Sequence, residues 1–228
     1  MKRLGWLFVA LSLAACAKVV SVEQIPSITL GEATFFPTIE AHTDAPIVGG
    51  NRIEVLLNGD TFTVMLRDIK AAKFTITFAQ YLFEGGDLAR EFAETFAERC
   101  RAGVKANILL DSHGSSKTPS DILKLMRDAG CHVEFFRRVE APALLFPWKL
   151  LQYNYRSHRR ILVIDGRGGF TGGYGISDTW QGDGRTDKHW RDTNPRIEGP
   201  VVKFLQASFA ESWLETTGIA IGGEGYFP

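Results

Sequence analysis

The chain has 228 residues, 45% of them hydrophobic and 23% charged, the balance of a folded globular protein with material for a sizeable core in one large or two small domains. Lysine plus arginine number 26 and so do aspartate plus glutamate, so no global positive field marks a nucleic-acid binder.

Lys2 and Arg3 precede an uncharged apolar run, residues 4–13. The run is too short to span a bilayer, which takes about 20 apolar residues, and it has the form of a secretory signal peptide. It ends in Leu13-Ala14-Ala15-Cys16, which resembles a bacterial lipobox. That resemblance implies cleavage before Cys16 and lipidation of its thiol; an ordinary signal peptide and an uncleaved short anchor are the alternatives. Ala17, where an aspartate would retain the protein, favours the outer membrane. The expected location is therefore exported, membrane-anchored and facing the periplasm. Export would allow Cys100 and Cys131 to pair, although two buried free thiols fit equally well. No cluster has metal-ligand spacing, and neither a metal nor another cofactor is expected.

Residues 17–50, with Pro26, Pro37, Pro46 and Gly49-Gly50, read as a tether. Beyond it strands and helices alternate. Residues 53–57 form a short strand, and Asp60 caps a helix reaching about residue 72. Residues 74–83 are β-branched and aromatic, as in a buried strand. Asp87 opens a helix whose Leu88, Phe92, Phe96 and Ala97 recur near helical spacing. Residues 104–110 are a strand, Thr118-Pro119-Ser120-Asp121 opens a helix closed at Gly130, and 132–136 is again a strand. A loop over 141–155 holds Leu144, Leu145, Phe146, Trp148, Leu150 and Leu151; it either touches lipid or folds over the core as a lid. Strand 161–164, a hairpin at Gly166–Gly169, a polar loop over 177–188, strand 192–197 and a helix over 200–215 complete the pattern. Alternation of this kind predicts an α/β, mixed α+β domain with helices on both faces of a sheet. No internal repeat is present.

The chemistry concentrates in His158-Arg159-Arg160-Ile161-Leu162-Val163-Ile164-Asp165 and the later Gly172-Gly173-Tyr174-Gly175. A histidine stands at the mouth of an apolar strand, an aspartate at its far end, and a glycine pair follows. This resembles the HKD signature of the phospholipase D superfamily: His-x-Lys, four residues, Asp, six residues, Gly-Gly, x, Asn. Around it, Tyr81-Leu82-Phe83-Glu84 with 87–92, Leu109-Leu110-Asp111 with Gly114-Ser115, 154–159, and Trp190-Arg191-Asp192-Thr193 with 196–200 resemble the bacterial cardiolipin synthases.

The resemblance implies a phospholipase D-like sandwich over residues 51–221, with a mixed, largely parallel sheet flanked by helices, as one half of a two-lobed enzyme. It implies His158, Arg160 and Asp165 as catalytic residues, and Gly172, Gly173, Gly175, Ser177 and Glu84 as contacts to substrate. The chemistry is coherent: an anionic phosphodiester needs cations around its oxygens, a positioned nucleophile and an acid for the leaving group. A neutral imidazole can attack phosphorus and form a covalent intermediate. The expected activity is phosphatidyl transfer at a membrane surface, with phosphatidylglycerol or a similar phospholipid as partner. A catalytically impaired remnant that binds phosphate or lipid, and a dimeric secreted nuclease, are the alternatives.

Three features depart from the family pattern. The motif lysine is Arg160, charged but with fork geometry. The motif asparagine is Gly175, which removes a side-chain donor. Only one such motif occurs, and His42, His113, His132 and His189 lack its spacing. A second half is therefore expected, from a longer chain or a homodimer, and residues 222–228 read as the start of an interrupted linker.

Overall fold

A computed structural model describes residues 27–43, 45–138 and 155–228. The signal segment with Cys16 and residues 141–154 of the apolar loop lie outside the described residues. The chain divides at residues 47 and 48 into two units. The first contains helix α1 (Phe35–Thr43), which the prolines had suggested was tether. Pro37 sits at its third residue, within the first turn, where the missing amide has no helical partner to lose.

The second unit is built on one sheet. Its strands are β1 (Arg52–Leu57), β2 (Thr75–Gln80), β3 (Lys105–Asp111), β4 (His132–Phe136), β5 (Ile161–Ile164), β6 (Gly168–Thr171) and β7 (Thr193–Glu198). They lie in the order β1-β7-β6-β5-β2-β3-β4. β2, β3 and β4 run parallel, and every pairing from β2 through β5, β6 and β7 to β1 is antiparallel. The sheet is mixed as expected, but its parallel part is confined to these three strands. Helical crossovers join β2 to β3 and β3 to β4, which lie side by side; β1 is also followed by a helix, but it lies at the far end of the sheet from β2, and β5 and β6 are joined by a tight turn.

Helices α2 (Asp60–Ala71), α3 (Asp87–Arg101) and α4 (Ser120–Asp128) cover one face, and α5 (Val202–Thr217) covers the other. On the first face Phe78 of β2 meets Phe83, Phe92 and Phe96 at ring separations of 6.3, 6.2 and 5.2 Å. Each such ring, fully withdrawn from water, contributes about 1.5–3 kcal/mol. On the second face Phe209 and Trp213 stack at 5.6 Å over Ile161 and Val163. Helix α3 takes its cap from far along the chain: the Asp178 carboxylate accepts from the Asp87 and Leu88 amides at 3.2 and 3.0 Å. Asp178 belongs to a 3-10 turn (Asp178–Trp180) and crowds Gly86, whose φ of +108° suits glycine. Cys100, near the end of α3, and Cys131, just before β4, form a disulfide across Cα atoms 5.5 Å apart.

No helix among the described residues is long and apolar enough to cross a membrane.

Candidate active site

The strand directions bring one set of loops together. The C-terminal ends of β2, β3 and β6 and the N-terminal ends of β5 and β7 share one edge of the sheet. That edge carries Tyr81, Asp111, His158, Arg160, the glycines after Thr171, and Asp192. In open α/β sheets this carboxyl edge is where ligands bind.

His158 and Arg160 enter β5 as extended backbone, so alternate residues face opposite ways. Arg159, between them, turns to the α5 face and bonds the Ser212 hydroxyl at 2.6 Å, the Ser208 carbonyl at 2.9 Å and Glu211 at 2.7 Å. His158 and Arg160 remain together on the other side, with His158 Nε2 3.5 Å from Arg160 Nη2. The imidazole leans on the Tyr81 ring at 4.4 Å. Partial loss of water around the ring, and then the Arg160 charge, hold the His158 pKa below its ordinary 6.5, with Asp111 opposing. His158 is therefore neutral at pH 7, the state a nucleophile needs.

Asp111 is buried at the end of β3 and organises the approach. It accepts from the amides of His113 and Gly114 at 2.9 and 3.1 Å and from Ser157 at 3.1 Å, with Arg156 3.9 Å away. It thus ties the β3 turn to the residue before His158. Ser115 completes the frame, donating to the Tyr81 carbonyl at 2.9 Å and accepting from Phe83 N–H at 3.1 Å.

The glycine pair is explained by what presses on it. A Cβ on Gly172, whose φ is +144°, would fall 2.0 Å from Asn194 Oδ1, and one on Gly173 would fall 2.6 Å from Asp192 Oδ1. Asn194 Oδ1 accepts from the Gly173 amide at 3.0 Å. Gly172 and Gly173 therefore let β7 bring Asp192 beside Arg160, whose positive charge Asp192 supports against the effect of burial. Arg160 Nε, Asp192 Oδ2 and the Tyr174 hydroxyl are buried with no hydrogen-bond partner among the described residues. Burial also raises the Tyr174 pKa, so its hydroxyl stays protonated. Of these groups the Arg160 N–H and the Tyr174 O–H are donors and suit an anionic ligand's acceptor oxygens, whereas the Asp192 oxygen can only accept.

Not every expected residue joins the cluster. Asp165 follows β5 at the opposite edge of the sheet, about 13 Å of strand from the His158 side. Its carboxylate accepts from the amides of Lys73, Phe74 and Thr75 at 2.9, 2.7 and 2.9 Å. It fastens the start of β2 and does not join the cluster around His158, where the family signature had grouped it. Glu84 lies on the correct edge, but its carboxylate faces Lys117 at 3.6 Å, and its amide bonds Ile176. Ser177 is buried, with its hydroxyl 3.3 Å from that of Thr179. Gly175 gives no open cradle, since a Cβ there would meet Leu82 at 3.0 Å and the Trp180 ring at 3.1 Å. In the sequence the Trp-Arg-Asp-Thr run marked the segment of Asp192 but not its proximity to Arg160. Of the other histidines, His113 follows β3 on the site edge. His132 opens β4 at the opposite edge against Trp213, and His189 is held by Thr186. Among the described residues no group of three or more His, Cys, Asp or Glu could hold a metal ion.

No family model matches the chain. It is 35% identical over 171 residues to cardiolipin synthase A of Pseudomonas fluorescens strain SBW25, covering 74% of this chain and 34% of that one. It is 33% identical over 172 residues to the major cardiolipin synthase ClsA of Bacillus subtilis strain 168, covering 73% and 34%. The chain thus spans about a third of the length of these relatives. Among solved structures it resembles the phospholipase D family member Nuc from Salmonella typhimurium, with a TM-score of 0.51, 16% identity, and coverage of 75% of this chain and 97% of that one. It also resembles phosphatidylserine synthase from Haemophilus influenzae, with a TM-score of 0.51, 14% identity, and coverage of 72% and 36%. The fold is that of these phospholipase D-type structures, and the sequence similarity to cardiolipin synthases over about three quarters of the chain supports membership of the phospholipase D superfamily. Within that superfamily it is a cardiolipin synthase-like protein.

Proposed function

We propose that this chain supplies one half of a phospholipid phosphatidyltransferase site of cardiolipin synthase type. The observation that carries the reading is the pairing of a neutral His158 with Arg160, 3.5 Å apart, inside a cluster of unmet polar groups. Attack by His158 Nε2 on a phosphodiester forms an N–P bond as the P–O bond to the first alcohol breaks. The departing alkoxide takes a proton from an acid in a second half, from the same longer chain or a homodimer. An acceptor hydroxyl, phosphatidylglycerol or a similar lipid, then attacks phosphorus and loses its proton, and His158 leaves. Water in place of the acceptor gives hydrolysis. Arg160 holds the non-bridging oxygens throughout, and Asp192 keeps Arg160 in place.

The test is a trapped phosphohistidine. Bis(p-nitrophenyl) phosphate carries a leaving group that needs no acid, so this chain alone should be phosphorylated on His158 at one equivalent, and His158→Ala should not. Transfer between phospholipids should appear only when a second half is supplied. Absence of phosphohistidine with both substrates would overturn the reading in favour of a remnant that binds phosphate or lipid without turnover. That alternative draws on Gly175, where Trp180 and Leu82 fill the space of the family's asparagine. DNA cleavage without lipid transfer would select the nuclease.

We further infer that the protein is exported and lipid-anchored through Cys16 facing the periplasm. The Leu13-Ala14-Ala15-Cys16 segment and a disulfide that suits an oxidising compartment support this. Incorporation of labelled palmitate, lost in Cys16→Ser, tests it.

A further inference from the structure

The site edge is bordered by a segment, residues 181–191, whose backbone is tied down at many points. Gly182 O accepts from Gly59 N–H at 2.8 Å, and Asp183 O accepts from Asn58 Nδ2 at 2.9 Å. Asp183 Oδ1 accepts from the Arg185 amide at 3.0 Å, and Thr179 O accepts from the Trp190 amide at 2.8 Å. His189 lies over Gly182 and its ring meets the Thr186 hydroxyl at 3.1 Å.

On this ordered loop the Trp190 indole is 59% exposed. It stacks on Trp180 at 5.6 Å and 20°, and Trp180 is itself lodged against Gly175. The inner position is thus taken, and Trp190 has no room to turn inward. Indoles held this way lose little entropy on meeting a partner and favour the boundary between headgroups and hydrocarbon. Across the site Tyr155 is 69% exposed, with its carbonyl bonded by Arg137 at 3.2 Å.

The same loop carries a small net positive charge. Arg185 is paired with Asp183 at 3.5 Å, whereas Lys188 and Arg191 are exposed without an ion pair among the described residues. The Arg191 stem crosses Gly184. Asp187 is the remaining opposing charge, so three cations face two carboxylates in a chain whose overall net charge is zero.

We infer that the segment from 181 to 191 seats the site edge on an anionic phospholipid surface, with Trp190 entering the headgroup boundary and Lys188 and Arg191 meeting lipid phosphates. The choice of lipid as the partner rests on the phosphatidyltransferase reading. The surface lies within two residues of Asp192, so seating it brings headgroup phosphates to the level of Arg160 and His158.

The full chain, mixed with vesicles of phosphatidylethanolamine and brominated phosphatidylglycerol, provides the test. Tryptophan quenching is read as the difference between the parent and Trp190→Phe, which cancels the other indoles, including any held at the membrane by the leader. Quenching attributable to Trp190 is expected with brominated phosphatidylglycerol and not with brominated phosphatidylcholine. Lys188→Ala with Arg191→Ala should weaken it about 25-fold in lipid concentration, roughly fivefold for each cation removed. In the parent, vesicles should also shield this signal from acrylamide, a reading that depends on no charge variant folding.

Equal quenching of parent and Trp190→Phe, or equal response to the two lipids, would overturn the inference. So would short single-stranded DNA that covers Trp190 and displaces the vesicles. Because phosphohistidine is read on a soluble diester, the two readings fail separately. Trp190 quenching without phosphohistidine removes the chemistry, and phosphohistidine without Trp190 quenching removes the docking surface.

Discussion

Replacing Asp165 by alanine should loosen the fold without disarming the site. Three amides, from Lys73, Phe74 and Thr75, lose their acceptor. Bonds to a charged acceptor contribute about 1.5–3 kcal/mol each when buried, but Lys73 and Phe74 are exposed and water replaces part of the loss, so about 1 kcal/mol each is the appropriate scale. Asp165 also sits at φ +52°, which aspartate tolerates better than alanine by roughly 1 kcal/mol. The sum is about 4 kcal/mol for Asp165→Ala. Asparagine keeps Oδ1 for Phe74 and Thr75 and the left-handed backbone, but turns an amide donor towards Lys73 N–H, so about 1–2 kcal/mol is expected. Urea unfolding followed by tryptophan fluorescence, with the disulfide intact, should move the Asp165→Ala midpoint down by about 2 M at a slope of about 2 kcal/mol/M. Phosphohistidine formation per folded molecule should be close to that of the parent for both variants. An unshifted midpoint together with lost phosphorylation would refute the reasoning and return Asp165 to the chemistry.

Arg160→Gln removes the like charge that lowers the His158 pKa, so the acid limb of phosphohistidine formation should move to higher pH, while Arg160→Lys should leave it in place; stopped-time labelling across pH 4–8 shows which. The sign follows from the charge: a neighbouring cation disfavours imidazolium, and its removal restores the proton. Gly175→Asn, which writes the family residue back, must push against Leu82 and Trp180 and should cost about 2 kcal/mol, a fall of roughly 6 °C in Tm by calorimetry. An unchanged Tm would show that Trp180 yields freely. Cys100→Ser with Cys131→Ser opens a bridge spanning 31 residues and should cost about 4 kcal/mol, seen as a matching loss when the parent is reduced.

Most of the second unit was legible because its elements are locally consistent. Residues 161–164 are wholly apolar and 132–136 hold Val133, Phe135 and Phe136, and the Leu88, Phe92 and Phe96 spacing gave α3 its buried stripe. What escaped were relations between distant segments. The cap of α3 comes from Asp178, some 90 residues beyond it, and no helix-start rule looks that far. Cys100 and Cys131 pair because α3 ends where β4 begins, a consequence of the parallel crossover. The parallel share of the sheet was overestimated because a short strand after a long loop looks the same in either direction; only the β5–β6 turn fixes it. At the site, the motif spacing singled out His158, Arg160 and the glycine pair, but the reason for the glycines, the approach of Asn194 and Asp192, is a contact between distant segments. It placed Asp165 in the same signature, although a seven-residue interval along an extended strand must separate the two ends. Asp192 carries the opposite lesson: it stands 27 residues after Asp165 in sequence, yet the β6–β7 pairing brings it to Arg160.

The state of His158 also bears on why one motif is insufficient. Partial dehydration and Arg160 both favour the neutral ring, which makes His158 ready to attack and poorly suited to give a proton in the same turnover. An alkoxide leaving a phospholipid needs that proton, because it is a far stronger base than a nitrophenolate. Arg160 does not supply it, since a guanidinium stays charged even when burial lowers its pKa. The Tyr174 hydroxyl does not either, since it is wholly buried and its pKa is raised. Asp111 is committed to three backbone amides and Arg156. In the proposed mechanism His158 is the nucleophile and Arg160 the anion clamp, and the acid then has to come from another chain segment or another subunit. On the proposed reading, this division predicts that the chain alone carries out the first displacement only on an activated diester, and that transfer between lipids requires the second half.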